Sequence, residues 1–295
     1  MRRATAPAGE RSVTTCVALA AIHLAACAAV LPVCFSWSAV FVALTLFYLT
    51  GSIGICLGYH RLLTHRSFHV PRVVEYTIVT AGALALEGGP IEWVSTHRAH
   101  HKFSDTARDP HDSRLGFFWS HVGWLYRRNP ARLSIAEQHR YAGDLYKDAY
   151  YRFLEKGTPA FQIILGVLLF IAGGWPWVFW GIFVRLVMTY HATWLVNSAA
   201  HLAGYRTYLT PGLDRSTNNW WVALIASGEG WHNNHHAFPS SARHGLAWFE
   251  FDLTWLAIAF MRKVGIARDV LIPDEAMLRR RLISTSSSQV DLEAG

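Results

Sequence analysis

Long apolar stretches alternate with polar, aromatic-rich segments along this chain. The apolar runs cover about 13–33, 37–57, 159–172 and 177–200. A helix needs about 20 mainly apolar residues to cross a bilayer, so the pattern predicts four spans. Short turns join the first run to the second and the third to the fourth, which predicts two helical hairpins. The expected fold class is therefore an all-α, multi-pass membrane protein.

The polar segments between and after the runs predict the remaining organisation. Residues 13–260 are expected to form a single membrane-embedded domain. Within it, segments 58–156 and 201–260 are expected to form a helical cap on one side of the membrane. Residues 1–12 read as a disordered N-terminus and residues 261–295 as a C-terminal tail, because both are polar and rich in charge.

One moderately apolar segment, residues 73–93, leaves two alternatives open. It carries Glu75, Glu87 and Glu92, and carboxylates are costly inside a bilayer. That cost favours a position at the membrane interface or against the cap. A fifth span here would instead separate the histidines at 60 and 65 from those at 97, 100 and 101 across the membrane.

Composition and charge agree with the membrane assignment. Apolar residues make up 52% of the chain and charged residues only 16%, whereas soluble domains carry about a quarter charged residues. The net charge is +7, and the two short hairpin turns contain no Lys or Arg. By the positive-inside tendency, both termini and the cap face the cytoplasm, at a bacterial plasma membrane or a eukaryotic endoplasmic reticulum. The basic residues are dispersed and form no arm, which argues against nucleic-acid binding.

Half of the 16 histidines lie in three clusters. The clusters are His60 and His65; His97, His100 and His101; and His232, His235 and His236. Residues three and four apart share one face of a helix, so the H-x-x-H-H spacing can aim its imidazoles at one volume. Neutral imidazole suits iron, zinc, copper and nickel. A zinc enzyme needs about three protein ligands, so eight clustered histidines favour two metal ions.

The end of the fourth apolar run adds further candidates. Asn197 and His201 are four residues apart and share a helix face. His201 is predicted as a ninth nitrogen ligand and Asn197 as a weaker or water-mediated one. Isolated histidines are usually packed core residues, and no metal role is predicted for His23, His69, His121, His139, His191 and His244.

Five motifs together resemble the membrane-bound fatty acid desaturases, and in particular their delta-9 branch. They are GYHRLLTHRSF, GGPIEWVSTHRAHHKFSD, DPHDSRLGFFWSHVGWL, ATWLVNSAAHLAGYR and GEGWHNNHHAFP. The resemblance runs from about Gly54 to Phe251. A single histidine box would be a weak signal, whereas three in order are specific.

The resemblance implies a four-span fold with a cytosolic cap and a non-heme centre of two iron ions. The implied ligands are His60, His65, His97, His100, His101, His201, His232, His235 and His236, with Asn197 bound through water. Trp93 and Thr193 match residues that shape a kink in the family's acyl tunnel, and Trp194 is the expected neighbour in the lining.

The implied reaction uses dioxygen and two electrons to introduce a cis double bond, at delta-9, into a saturated acyl chain. The acyl group would be carried by coenzyme A or by a membrane lipid. Since no cysteine cluster could hold an iron–sulfur centre, a separate donor of the ferredoxin or cytochrome b5 type is expected. A related membrane diiron fatty-acid or sterol hydroxylase or oxidase is the alternative. A metal transporter is disfavoured because the histidine clusters sit at the ends of the apolar runs.

Several other polar residues are candidates for supporting roles. Metal-bound histidines commonly donate their second N–H to a carboxylate. Asp105, Asp109, Asp112 and Glu229 are close enough in sequence to do this, and each could equally be solvated or cap a helix. Arg185 lies inside the fourth apolar run and is expected to snorkel or to find a polar partner.

Overall fold

The structure, a computed structural model, describes residues 11–127 and 131–283. Within those ranges the chain is helical, and its β-bridges are isolated ones. The all-helical part of the predicted fold class is therefore confirmed for the described residues. Most of the predicted disordered segment 1–12, and the end of the predicted tail, lie outside them.

The first two apolar runs form helices α1 (Val13–Ala28) and α2 (Trp37–Thr64). A single 3₁₀ turn at Pro32–Cys34 separates them. The side chain of Ser36 caps α2 by accepting a hydrogen bond from the backbone of Ala39 at 3.1 Å. Helix α2 continues past the predicted boundary at residue 57, so it carries His60 on its last turn, and His65 caps its end.

The third and fourth runs form one helical stretch, Ala149–Leu202, that reverses at Gly174. Gly174 has φ 66° and ψ −159°, a conformation that residues with a Cβ rarely adopt. The break divides the stretch into α7 (residues 149–173) and α8 (residues 175–202). Leu169 and Ile182, on either side of the break, share one buried cluster. Helix α7 begins ten residues before the predicted boundary, because the carboxylate of Asp148 caps it there.

Two of these stretches, Trp37–Thr64 and Ala149–Leu202, are long and apolar enough to cross a membrane, while α1 has 16 residues. Large apolar side chains on their outer faces are exposed, such as Phe41 (71%) and Ile171 (76%). Surfaces of this kind mark contact with lipid or with another protein. The fold is thus that of a helical protein suited to a membrane.

The ambiguous segment 73–93 contains two short helices rather than one long one. Helix α3 spans Arg72–Ala83 and helix α4 spans Pro90–Phe103. At 12 residues, α3 is too short to cross a bilayer of about 30 Å. It packs tightly on α2, because a Cβ placed on Gly54 would lie 2.4 Å from the backbone nitrogen of Gly82.

The remaining helices are short and build the cap. In chain order they are α5 (residues 119–126), α6 (Ile135–Tyr146), α9 (Trp220–Ile225), α10 (His232–Ala237), α11 (Leu253–Lys263) and α12 (Glu275–Arg281). Helix α12 lies within the predicted tail 261–295, so that segment is partly helical. Helix α6 begins with a capping box between Ser134 and Glu137.

Two fully buried arginines tie the helices together. Arg61 of α2 binds Asp252 at 3.0 Å and Glu229 at 2.9 Å, which joins α2 to the C-terminal part of the cap. Arg185 was expected to snorkel or pair. It is buried and donates to the side-chain oxygen of Gln162 at 2.8 Å and to the backbone carbonyls of Gly181 and Leu84.

Candidate metal centre

The first histidine cluster depends on a widened helical turn. The stretch Tyr48–Thr64 is wound as a π-helix, and the backbone nitrogen of His65 bonds to the carbonyl of His60 at 3.2 Å. In an ordinary α-helix, residues five apart point in different directions, whereas i→i+5 bonding brings them onto one side. The two imidazole centroids consequently lie 4.9 Å apart.

The second cluster lies on the last two turns of α4, where the α-helical spacing brings two of its rings together as predicted. The Nε2 atoms of His97 and His101, four residues apart, lie 3.1 Å from each other. His100 points away from this pair toward Asp109. A single helix therefore directs its imidazole nitrogens to two different places.

The third cluster lies on α10, and buried asparagines within the motif hold that short helix. Asn233 accepts from the backbone nitrogens of Thr207 and Tyr208 at 2.8 and 2.9 Å. Asn234 donates to Glu250 at 2.7 Å and to the carbonyl of His244 at 2.9 Å. The two asparagines of the HNNHH motif thus anchor the helix that carries its histidines.

All nine histidines proposed as ligands fall into two groups, each with nitrogen atoms within 4.8 Å of one another. Group one consists of His60, His65, His97, His101 and His235. Group two consists of His100, His201, His232 and His236. The groups adjoin, since the rings of His101 and His236 stack with centroids 4.3 Å apart. Each group could hold one metal ion.

Three of the four carboxylates named from the sequence contact histidines of the two groups. Nδ1 of His60 lies 2.6 Å from Glu229, Nδ1 of His100 lies 3.0 Å from Asp109, and Nδ1 of His201 lies 3.0 Å from Asp105. Such contacts orient an imidazole and leave its Nε2 free for a metal.

The fourth carboxylate named from the sequence, Asp112, binds Arg114 instead. It accepts from the backbone of Arg114 at 3.0 Å, which caps a 3₁₀ turn, and it also binds the Arg114 guanidinium. The fourth carboxylate that contacts a histidine of the two groups is instead Asp214, whose Oδ1 lies 3.3 Å from Nδ1 of His236. Asp214 is far from every histidine cluster in sequence, so spacing could not have identified it.

The protonation of these groups favours metal binding. Burial lowers the pKa values of five histidines well below the usual value for histidine. They are His65, His97, His101, His232 and His235. Burial alone would raise the pKa of Asp214, but the charge of His236 and its hydrogen bond hold it below the usual range. At neutral pH these five imidazoles are therefore neutral, and the carboxylate of Asp214 is ionised.

The hydrogen bonds of group two indicate that a cation fits between its imidazole nitrogens. His100 and His236 both place Nδ1 against a carboxylate, so each presents only a lone pair at Nε2. Those two Nε2 atoms lie 3.4 Å apart, which sets one acceptor against another. A metal ion among the lone pairs removes the repulsion. The donor set, entirely nitrogen, suits iron, zinc, copper or nickel.

A cavity of about 310 Å³ reaches group one from the side. His97 lies in its wall, together with the predicted tunnel residues Trp93, Thr193 and Trp194 and the predicted weak ligand Asn197. Five residues singled out from sequence therefore border one space. Cavities of this size with mainly apolar walls are typical sites for small apolar ligands.

Glu87 also lines the cavity and was not singled out by the sequence patterns. Its carboxylate accepts hydrogen bonds from Oγ1 of Thr193 at 2.7 Å and from the indole nitrogen of Trp93 at 3.3 Å. Burial raises the pKa of Glu87 to about 7. This side chain links the two residues expected to shape the bend of the cavity.

Two more histidines adjoin the metal groups without belonging to them. His244, for which no metal role was predicted, lies 3.3 Å from Glu229 through Nδ1, and its ring packs 4.3 Å from that of His235. His111 stands in the same relation to group two, with its ring 4.3 Å from that of His100. Sequence spacing gives no sign of either contact.

Comparison with known proteins places this geometry in context. Residues 10–269 match the family of fatty acid desaturases. An sn-1 stearoyl-lipid 9-desaturase from Anabaena variabilis is 54% identical over 86% of this chain and 92% of its own length. An enzyme of the same name from Synechocystis is 52% identical over 88% of this chain and 80% of its own. An acyl-CoA 5-desaturase from Anemone leveillei is 49% identical over 84% of this chain and 77% of its own.

Proposed function

The chain belongs to the fatty acid desaturase family, and from that premise we propose that it introduces a cis double bond at the delta-9 position of a saturated, lipid-linked acyl chain. The observation that carries this proposal is the pair of histidine groups beside an apolar-walled cavity. The lipid carrier and the bond position are supported by the relatives from Anabaena and Synechocystis, which are named stearoyl-lipid 9-desaturases.

The nine histidines are proposed to hold two iron ions, one in each group, with Asn197 contributing through water. Iron supplies the oxidising power that attack on an unactivated C–H bond requires and that amino-acid side chains lack. The protein's own contribution is orientation. Glu229, Asp109, Asp105 and Asp214 fix the imidazole rings from behind, so that the Nε2 atoms converge before metal arrives.

The cavity is proposed to hold the acyl chain against group one. Trp93, Thr193 and Trp194 would shape its bend, and Glu87 would keep Trp93 and Thr193 in place. Holding one C–C bond at a fixed distance from the oxidant selects the position of oxidation. Overall, the saturated CH₂–CH₂ unit, dioxygen, two electrons and two protons give the CH=CH unit and two water molecules.

The proposed topology has four spans, formed by α1, α2, α7 and α8, with both termini and the cap in the cytoplasm. The exposed apolar faces of these helices support it, as does the absence of Lys and Arg from the two hairpin turns. The electrons are proposed to come from a separate carrier protein on the cytoplasmic side.

The test is to express the chain in a desaturase-deficient host together with a ferredoxin or cytochrome b5 system and to analyse the acyl chains by mass spectrometry. A new delta-9 monounsaturated acid in the lipid fraction is expected. A hydroxylated acid would assign the chain to hydroxylation instead. No new product, with donor and iron both present, would count against the proposal.

A further inference from the structure

Three histidines outside both metal groups form a continuous chain of contacts. Nε2 of His23 in α1 lies 3.2 Å from Nε2 of His191 in α8. Nδ1 of His191 lies 3.0 Å from Nε2 of His121 in α5, and Nδ1 of His121 lies 3.0 Å from the hydroxyl of Ser198. At the other end, Nδ1 of His23 lies 2.7 Å from the carbonyl of Leu19.

With one proton on each ring, the contacts fix the direction of every hydrogen bond in the chain. A carbonyl can only accept, so the N–H of His23 is at Nδ1 and its Nε2 is an acceptor. His191 must then donate from Nε2 and accept at Nδ1, which makes His121 the donor to His191. The remaining nitrogen of His121 accepts from Ser198, whose one proton is shared with the carbonyl of Trp194 at 2.7 Å.

This assignment requires each of the three rings to carry one proton and no charge. Burial lowers the pKa of His121 to about 4, which agrees with a neutral ring at physiological pH. An additional proton on His191 would set two N–H groups against each other. The chain therefore needs neither a metal ion nor an ionised partner, and only the Ser198 proton is shared between two acceptors, Nδ1 of His121 and the carbonyl of Trp194.

The chain surrounds the buried indole of Trp194. The ring centroids of His191, His121 and His23 lie 5.2, 5.6 and 6.5 Å from it. Tyr190 stacks on the indole at 5.3 Å. Trp194 is 5% exposed and forms part of the cavity wall, so its orientation determines the shape of the cavity at that point.

The chain also joins the three helices that meet at this wall. Helix α1 contributes Thr15 and Leu19 to the cavity lining, and α5 contributes Trp124 and Leu125. Helix α8 contributes Trp194 and its neighbours. Polar groups between apolar helices are costly unless paired, and apolar side chains would pack the same space without that cost. Three paired histidines therefore indicate a need for a directional, rigid contact.

We propose that His23, His191 and His121 are positioning residues that hold Trp194 in a single orientation and so determine which C–C bond of the acyl chain is oxidised. This inference rests on the proposed desaturase function. A displacement of about 1 Å in a reacting group can cost about 10²-fold in rate. Neighbouring carbons of an acyl chain are separated by a distance of the same order, so a loose wall would distribute the double bond over adjacent positions.

The test is His191→Phe, which keeps a ring in the same place and removes both central hydrogen bonds. The full-length enzyme is expressed in the desaturase-deficient host with its electron donor, and the positions of the double bonds are read by mass spectrometry. We expect isomers at neighbouring positions and a fall in turnover of about tenfold or more. Metal content per chain should equal that of the wild type, because no ligand is altered.

The matched control is Leu24→Ala, which changes the residue beside His23 on the exposed face of α1. It should give the wild-type product pattern. A single bond position in His191→Phe, at whatever rate, would overturn the proposal.

If His191→Phe does not accumulate, His23→Leu is the milder variant, because it removes only one of the two hydrogen bonds between histidines, that of His23 with His191. It should also give isomers at neighbouring positions, in a smaller proportion. An unchanged bond position there would also overturn the proposal. If the proposed desaturase function itself is wrong, the result is different, because the wild-type chain will then yield no unsaturated acid.

Discussion

Nδ1 of His60 lies 2.6 Å from Oε2 of Glu229, although the two residues come from distant parts of the chain. The same carboxylate binds the buried guanidinium of Arg61 at 2.9 Å and lies 3.3 Å from His244. One acidic side chain therefore connects a proposed metal ligand, a buried cation and a second histidine. The orientation of the His60 ring within group one therefore depends on this carboxylate.

Replacement of Glu229 by glutamine should weaken metal binding without removing any ligand. The amide retains the shape of the side chain but loses the charge that orients and polarises His60. Loss of such a partner typically costs about 10- to 100-fold in metal affinity or activity. Metal retained per chain, measured by mass spectrometry during titration with a chelator, would check this.

The matched control is Asp112→Asn, because Asp112 is also a buried carboxylate but binds Arg114 instead of a histidine of either group. Its metal affinity should equal that of the wild type. Equal affinities for Glu229→Gln and the wild type would remove Glu229 from the metal site.

The two histidine groups should lose metal separately. His235→Ala removes a nitrogen from group one, and His232→Ala removes one from group two. Each variant is expected to lose desaturation and to retain roughly one metal ion per chain while remaining in the membrane fraction. His139→Ala, on the exposed side of α6, should retain both ions and full activity. Retention of both ions and activity by His235→Ala would exclude it as a ligand.

Much of this site can be predicted from sequence because helical spacing is local information. The pairs His97 and His101 and His232 and His236 are four apart on α-helices, so their convergence follows from periodicity. The pair His60 and His65 is brought together by a π-helical turn that the sequence pattern does not reveal. Closeness in the sequence made that pair a candidate, and the resemblance to a family then implied it as a pair of ligands, whereas α-helical spacing did not predict its convergence.

The parts that escaped prediction are those set by tertiary packing. Asp214 and His244 reach the histidine groups from segments with no recognisable spacing to them. His23, His121 and His191 looked like isolated core histidines because their partners lie on other helices. Helix boundaries were displaced for a similar reason, since the cap at Asp148 and the π-turn near Thr64 extend helices beyond their apolar runs.

Glu87→Gln should flatten the dependence of stability on pH. Burial raises the pKa of Glu87 to about 7 in the folded state, above its unfolded value of about 4.3. Between those values the unfolded chain releases a proton that the folded chain keeps, so the wild type loses stability as pH rises from about 4.5 to about 7. The loss should be about 3–4 kcal/mol, since one pKa unit corresponds to about 1.4 kcal/mol.

Thermal unfolding in detergent at several pH values would measure this difference. The melting temperature of the wild type should fall relative to that of Glu87→Gln across the interval and then run parallel to it above pH 8. Parallel curves throughout the range would show that Glu87 does not titrate as described.

A reporter enzyme fused into the turn at Gly174 should report the outer side of the membrane. The chain reverses there between α7 and α8, and the four-span arrangement places this turn opposite the cap. A fusion after residue 283 should report the cytoplasmic side. Identical signals at both positions would contradict the four-span topology, and an inside signal at Gly174 alone would invert it.

Arg61→Met should destabilise the fold strongly, because it strands the carboxylates of Glu229 and Asp252 in the interior. Arg61 is 0% exposed, and methionine can fill most of its volume without replacing its charge. Removal of one member of a buried ionic cluster typically costs about 3–5 kcal/mol, since the remaining charges cannot return to water. Arg279→Met, which breaks the exposed pair with Glu275, should cost little, because solvent already screens that pair. Adding Asp252→Asn to Arg61→Met should recover part of the loss in a denaturation midpoint. If the double variant is less stable than Arg61→Met alone, the main role of Arg61 is something other than neutralising these carboxylates.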